Sequence, residues 1–107
     1  MISTHILDTS VGNPAPEVKV ELYIVQDGEN KLIESSNTDS DGRIKFNCPS
    51  RPGHYKLVFH IEEYYTSQGV DHFFYNAPVA FKISDTNRNY HVPLLVNPFG
   101  YSTYRGS

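Results

Sequence analysis

Apolar residues recur at every second position in stretch after stretch of this chain, a period that suits a strand and cannot line one face of a helix. Val18, Val20, Leu22 and Ile24 alternate with Lys19, Glu21 and Tyr23. Tyr55, Leu57, Phe59 and Ile61 alternate with Lys56, Val58 and His60; Tyr90, Val92, Leu94 and Val96 alternate with His91, Pro93 and Leu95. Side chains two apart share a sheet face, so each stretch has one face to bury and one left over. Ile2–Asp8 and residues 31–38, 43–46, 78–83 and 101–105 carry shorter or weaker versions of the pattern. Turn-formers separate them: Gly12-Asn13-Pro14-Ala15-Pro16, Asp39-Ser40-Asp41-Gly42, residues 47–53 and Asn97-Pro98-Phe99-Gly100. Residues 62–68 break the alternation, and Gly69 is placed to end a helix of about two turns there. Roughly eight short strands with one brief helix predict an all-β fold, a two-sheet antiparallel sandwich.

The 107 residues are the size of one domain, and no linker, repeat or low-complexity tract divides them, so 1–107 is read as a single domain. The net charge of −3 offers no electrostatic attraction to nucleic acid or to an anionic membrane. No apolar run approaches the roughly 20 residues that span a bilayer. Met1-Ile2-Ser3-Thr4-His5 lacks the basic stretch ahead of an apolar one that marks an export signal. Cys48 is the only cysteine, so no intrachain disulfide is available, and a reducing, cytoplasmic setting is expected. Set before Pro49 in a turn, Cys48 reads as an inert structural thiol rather than a nucleophile. So small a domain has a thin core, which oligomerisation would supplement.

The left-over faces hold the candidates for chemistry. His5 precedes Ile6, Arg43 follows a tight turn and precedes Ile44, and His91 lies between Tyr90 and Val92. Each is flanked by residues that point into the core, so each projects rigidly from a sheet. Taken singly, such side chains are ordinarily just solvated. The five histidines have no metal-ligand spacing, and neither a phosphate loop nor a Gly-x-Ser-x-Gly elbow is present. No metal and no cofactor are expected.

Longer motifs gather these residues. His5-Ile6-Leu7-Asp8-Thr9-Ser10-Val11-Gly12-Asn13-Pro14-Ala15, followed by Val18 and Val20, resembles the N-terminal signature of the transthyretin family. Tyr90-His91-Val92-Pro93-Leu94-Leu95 and Pro98-Phe99-Gly100-Tyr101-Ser102-Thr103 resemble its C-terminal signature, and Asp41-Gly42-Arg43 falls at a third marker. The likeness runs over essentially the whole chain. One departure is Asn97, where members usually carry serine; it lies in a turn. The family divides into hormone carriers and 5-hydroxyisourate hydrolases. The hydrolase branch is marked by the tetrapeptide standing here as Tyr104-Arg105-Gly106-Ser107, by histidines at the positions of His5 and His91, and by an arginine at that of Arg43. The carriers lack the tetrapeptide and the histidine pair. The resemblance thus implies a transthyretin-like sandwich that hydrolyses 5-hydroxyisourate to 2-oxo-4-hydroxy-4-carboxy-5-ureidoimidazoline in urate degradation. It also implies a homotetramer, a dimer of dimers, with sites in a channel between the dimers.

The chemistry of the side chains agrees with that implication. Opening a cyclic amide with water needs a base, a stabiliser for the tetrahedral oxyanion and a proton for the leaving nitrogen. Histidine moves protons near neutral pH, so His5 and His91 are the expected acid-base pair; which of them is the base stays open. Arg43 would supply fixed positive charge for a flat, polar ring and for the oxyanion. Ser107 would hydrogen-bond the ring or the water, and Leu95 and Tyr104 would wall the pocket. Direct attack by water, without a covalent intermediate, is the expected route. Tyr104 continues the alternation on the face of Ser102, and Gly106 is read as permitting a bend. Two other classes of function compete: a transthyretin-like carrier of an aromatic small molecule, and an interaction sandwich whose polar face is merely solvated. The Tyr-Arg-Gly-Ser ending argues against both.

Overall fold

The computed structural model describes every residue from Met1 to Ser107. In chain order the elements are β1 (Ile2–Asp8), β2 (Asn13–Pro14), β3 (Lys19–Gln26), β4 (Glu29–Asn37), β5 (Arg43–Lys45), β6 (Gly53–Phe59), α1 (Ile61–Ser67), β7 (Ala77–Ile83), β8 (Tyr90–Asn97) and β9 (Gly100–Thr103). They form the expected sandwich. One sheet runs β2-β1-β8-β9, with β5 also paired to β1; the other runs β4-β3-β6-β7. The alternating stretches are strands, and the single helix falls where the alternation breaks.

Two features were not anticipated. Asn13–Pro14, inside the predicted loop, makes a two-residue pairing with Leu7 and Asp8. More consequential is the pairing of β1 with β8, which is parallel, Ile2 opposite Tyr90 through to Asp8 opposite Val96, whereas every other pairing is antiparallel. Parallel neighbours need a long crossover, and here the whole second sheet lies within that crossover, along with β2, β5 and α1. The two ends of the sequence therefore meet at the centre of one sheet.

The core is what the period-2 pattern dictates. Ile2, Ile6, Ile44, Leu94 and Val96 of the first sheet face Val20, Leu22, Leu57, Phe59 and Ile83 of the second, all buried. Each such side chain, fully withdrawn from water, contributes about 1.5–3 kcal/mol before entropy is set against it. Helix α1 closes one end with Ile61, Tyr64 and Tyr65 buried. Its anchor is Asp8, at the end of β1 and only 1% exposed. The Asp8 carboxylate accepts hydrogen bonds from the Tyr64 hydroxyl at 2.9 Å, the Ser10 amide at 3.0 Å and the Ser10 hydroxyl at 2.5 Å. Hydrogen bonds to a buried charge are worth about 1.5–3 kcal/mol each, so this carboxylate ties helix to sheet.

The turn before β5 decides where Arg43 stands. Asp39 Oδ1 accepts from the amides of Asp41 and Arg43, each at 2.9 Å. Gly42 has φ +73, the left-handed region that suits glycine, and a Cβ there would lie 2.6 Å from the carbonyl oxygen of Ile6. That close approach lets the Ile6 amide donate to the Gly42 carbonyl at 2.8 Å, which seats β5 against β1. Arg43 lands directly opposite His5.

Candidate active site

The outer face of the first sheet reads as a lattice. In β1, Thr4 and Ile6 point inward, so Ser3, His5 and Leu7 point outward; in β8, His91, Pro93 and Leu95 do the same. The registers align these residues in rows. One row runs Arg43, His5, Pro93 across β5, β1 and β8. The next runs Lys45, Ser3, His91. The third holds Leu7, Leu95 and Ser102, from β1, β8 and β9. His5 and Arg43 are side-by-side neighbours on adjacent strands. His5 and His91 are one strand across and two residues along, roughly 8 Å between backbones. The parallel β1–β8 pairing is what brings residues 86 positions apart within reach of one small molecule.

His91 is the most constrained member. Its Nδ1 is hydrogen-bonded to Ser3 Oγ at 2.8 Å. Partial burial holds its pKa below the usual imidazole range, and electrostatic repulsion between its charged form and nearby His5 and Arg43 adds to the shift. Both causes disfavour the imidazolium, so His91 is set up to remain neutral. Ser3 is a contributor that the sequence reading passed over, although it shares a face with His5 two residues along. Lys45, on the same face as Arg43, adds a second cation to the neighbouring row.

The C-terminal residues come back to the same sheet. β9 pairs with β8 with Leu94 opposite Thr103, and past β9 an isolated bridge sets Gly106 opposite His91, its amide donating to the His91 carbonyl at 2.8 Å. The register is unchanged across the gap, so Tyr104 falls opposite Pro93 and shares the outer face with Ser102. Tyr104 is exposed. Ser107 follows the bridge directly, also exposed. Arg105 takes the other face, with its guanidinium carbon 5.4 Å from the centre of the Tyr90 ring. Gly106 is not at positive φ. The expected bend is thus not what calls for glycine. The reason is space, because a Cβ there would fall 2.5 Å from His91 Cδ2.

His5, Arg43, His91, Leu95 and Tyr104 therefore stand on the outer face of one sheet, and Ser107 follows the bridge that ties the C-terminal segment to it. What one chain does not provide is an enclosure. A cleft of about 400 Å³ opens at the edge between β7 and the C-terminal residues, and of the six expected residues only His91 and Tyr104 border it. Arg43 and His5 stand on the open sheet. Elsewhere, Cys48 is half-buried, and burial, aided by Glu34, pushes its thiol pKa up, which suits an unreactive thiol. No group of three or more histidine, cysteine or carboxylate side chains is arranged to hold a metal ion. No helix is long and apolar enough to cross a membrane.

Known proteins resemble this chain along its whole length. The 5-hydroxyisourate hydrolase of Salmonella typhimurium is 46% identical over 110 residues, covering 100% of this chain and 81% of that one. Among solved structures, a Klebsiella pneumoniae 5-hydroxyisourate hydrolase has a TM-score of 0.87 at 36% identity, covering 99% of this chain and 98% of that one. Sea bream transthyretin in complex with thyroxine has a TM-score of 0.91 at 30% identity, with 98% and 93% covered. An (S)-allantoin synthase gives 0.88 at 34% identity, but this chain spans only 43% of that longer protein. The family described as HIUase/Transthyretin matches residues 2–106. The family match over nearly the whole chain and the 46% identity to a full-length relative show that the chain belongs to the HIUase/Transthyretin family.

Proposed function

We propose that this protein hydrolyses 5-hydroxyisourate, opening a ring amide to give 2-oxo-4-hydroxy-4-carboxy-5-ureidoimidazoline. The observation that carries the reading is the gathering of His5, Arg43 and His91 on one sheet face, with Tyr104 to Ser107 passing beside His91. The fold alone does not choose between hydrolase and carrier, since hydrolase and thyroxine-bound transthyretin structures superpose on it almost equally well. The choice rests on the histidine pair and the Tyr-Arg-Gly-Ser segment.

In this reading a neutral histidine takes a proton from water as the water oxygen attacks the amide carbonyl. Arg43, fixed opposite His5, neutralises the developing oxyanion and orients the polar ring. The resulting imidazolium, or its partner histidine, returns a proton to the ring nitrogen as the C–N bond breaks. Ser107 hydrogen-bonds the ring or the water, while Leu95 and Tyr104 wall the site. In this reading His91, whose pKa is held down first by burial and then by its proximity to His5 and Arg43, serves as the base. The direct test follows the absorbance of freshly made 5-hydroxyisourate with and without the protein. No acceleration, with binding of a non-hydrolysed urate-like ring retained, would make the chain a carrier.

A pH prediction comes with the base. Protonation removes the lone pair that accepts the water's proton, so the rate is expected to hold near neutral pH and fall on acidification. Because His91 is shifted downward, the midpoint should lie below the reference of about 6.5. A rate flat down to pH ~4.5, about two units below that reference, would rule out a titrating histidine.

The open face motivates the assembly. We infer a homotetramer, a dimer of dimers, whose sites are closed where two such faces meet; without a cover, Arg43 and His5 have no pocket. Light scattering at micromolar concentration is expected to give four chains per particle. A monomer with full activity would sink the interfacial site. A cytoplasmic location fits the lone free thiol of Cys48.

A further inference from the structure

We propose that Arg105 and Gly106 are positioning residues: together they grip β8 from its two faces and fix the orientation of the His91 ring. The observation is a pairing of neighbours. Tyr90 and His91 are consecutive in β8 and face opposite sides; Arg105 and Gly106 are consecutive in the C-terminal segment and meet them one on each side.

On the inner side the anchor is rigid. Tyr90 is 8% exposed, and its hydroxyl donates to the Asp85 carbonyl at 2.9 Å while accepting from the Asp85 amide at 3.0 Å. The Arg105 guanidinium lies over that ring, a cation-π contact, and no carboxylate lies within salt-bridge distance of it. On the outer side Gly106 offers a bare Cα to the imidazole. An added Cβ would lie 2.5 Å from His91 Cδ2, 3.2 Å from His91 Cγ and 3.2 Å from Pro93 Cγ. Cδ2 is bonded to Nε2, so Gly106 flanks the edge that carries the nitrogen left free once Nδ1 is engaged by Ser3. The ring is thus caught between a hydroxyl on one edge and a glycine on the other. The glycine side of that catch holds only while the segment stays docked, and the Gly106–His91 backbone bond and the Arg105 contact are what dock it.

The kinetic consequence rests on the hydrolase reading above; the geometry does not. Gly106→Ala is expected to lower kcat by a factor on the order of 10–100 through displacement of the ring, with KM changed far less. The pH-rate midpoint and the His91 imidazole titration followed by NMR should both move up toward about 6.5, because the displaced ring is better hydrated. Thermal melting should stay near wild type, since residue 106 touches no core side chain. Arg105→Gln should act in the same direction but less, and Arg105→Lys should recover part of the loss by keeping a cation over Tyr90. Wild-type kcat and an unmoved His91 titration in Gly106→Ala would overturn the inference. If wild-type protein does not open 5-hydroxyisourate, the proposed function fails, and the His91 titration in Gly106→Ala still decides this point.

Discussion

His5→Ala, Arg43→Ala and His91→Ala are each expected to lose ring-opening activity by a factor on the order of 100 or more while remaining folded. The magnitude is that of an acid-base group or of one oxyanion donor removed, and corresponds to about 2.7 kcal/mol on the barrier. Folding should survive because all three project from the outer face, and the core contributed by the same strands (Ile2, Ile6, Ile44, Val92, Leu94) is untouched. The three losses should not be equal in kind. Arg43→Ala removes charge from a flat ring as well as from the oxyanion, so KM should rise along with the fall in kcat. His91→Ala also frees Ser3 and empties the space against Gly106, so it should combine the largest kcat loss with a loosened C-terminal segment. Parallel measurement of kcat, KM and melting temperature for the three variants checks this. Near-normal rates in two of them would remove the lattice of His5, Arg43 and His91 from the mechanism.

The sequence carried the sandwich because period-2 alternation is a local signal, and it separated inner from outer faces well enough to put His5, Arg43 and His91 on the outside. It did not carry pairing. Nothing local to Ile2–Asp8 or Tyr90–Asn97 says that they are neighbours, still less that they run parallel. The resemblance to the transthyretin family implied that His5 and His91 share a site; the β1–β8 register supplies the physical reason. Ser3 went unremarked because a serine beside a histidine on an exposed strand face looks ordinary until a strand from the far end of the chain lies against it. Gly106 was noticed for the wrong property. Glycine in a short terminal stretch suggests freedom at φ, whereas here its value is the missing Cβ. The Asp8–Tyr64 bond was equally hidden, since the two residues are 56 positions apart.

Deleting Tyr104–Ser107 is expected to abolish hydrolysis and leave the sandwich folded. The ordinary expectation for four terminal residues is a frayed end that tolerates change. The geometry opposes it. Residues 104–107 are held in β8 register by the bridge at Gly106 and by the Arg105–Tyr90 contact, so they are part of the sheet rather than an appendage. Their removal takes a wall (Tyr104), a hydrogen-bonding group (Ser107) and the surface against which His91 is oriented. It takes no core side chain: Tyr104 and Arg105 are exposed, and Thr103, whose hydroxyl donates to the Pro93 carbonyl at 2.6 Å, stays in place. Residues appended after Ser107 would emerge next to the Gly106–His91 bridge and crowd the same face, so a C-terminal tag should do nearly as much harm as the deletion. A tag at Met1 should do less, because Met1 starts outside the His5–Arg43 row, although its carbonyl accepts from the Tyr90 amide at 2.8 Å and some loss of stability is expected. The comparison is hydrolysis rate and thermal melting for truncated, C-tagged and N-tagged protein. The truncated chain should also show the His91 titration moved up toward about 6.5, as an unshielded imidazole would. Full activity in the truncated or the C-tagged protein would return these four residues to the status of a loose end and leave His91 to be oriented by Ser3 alone.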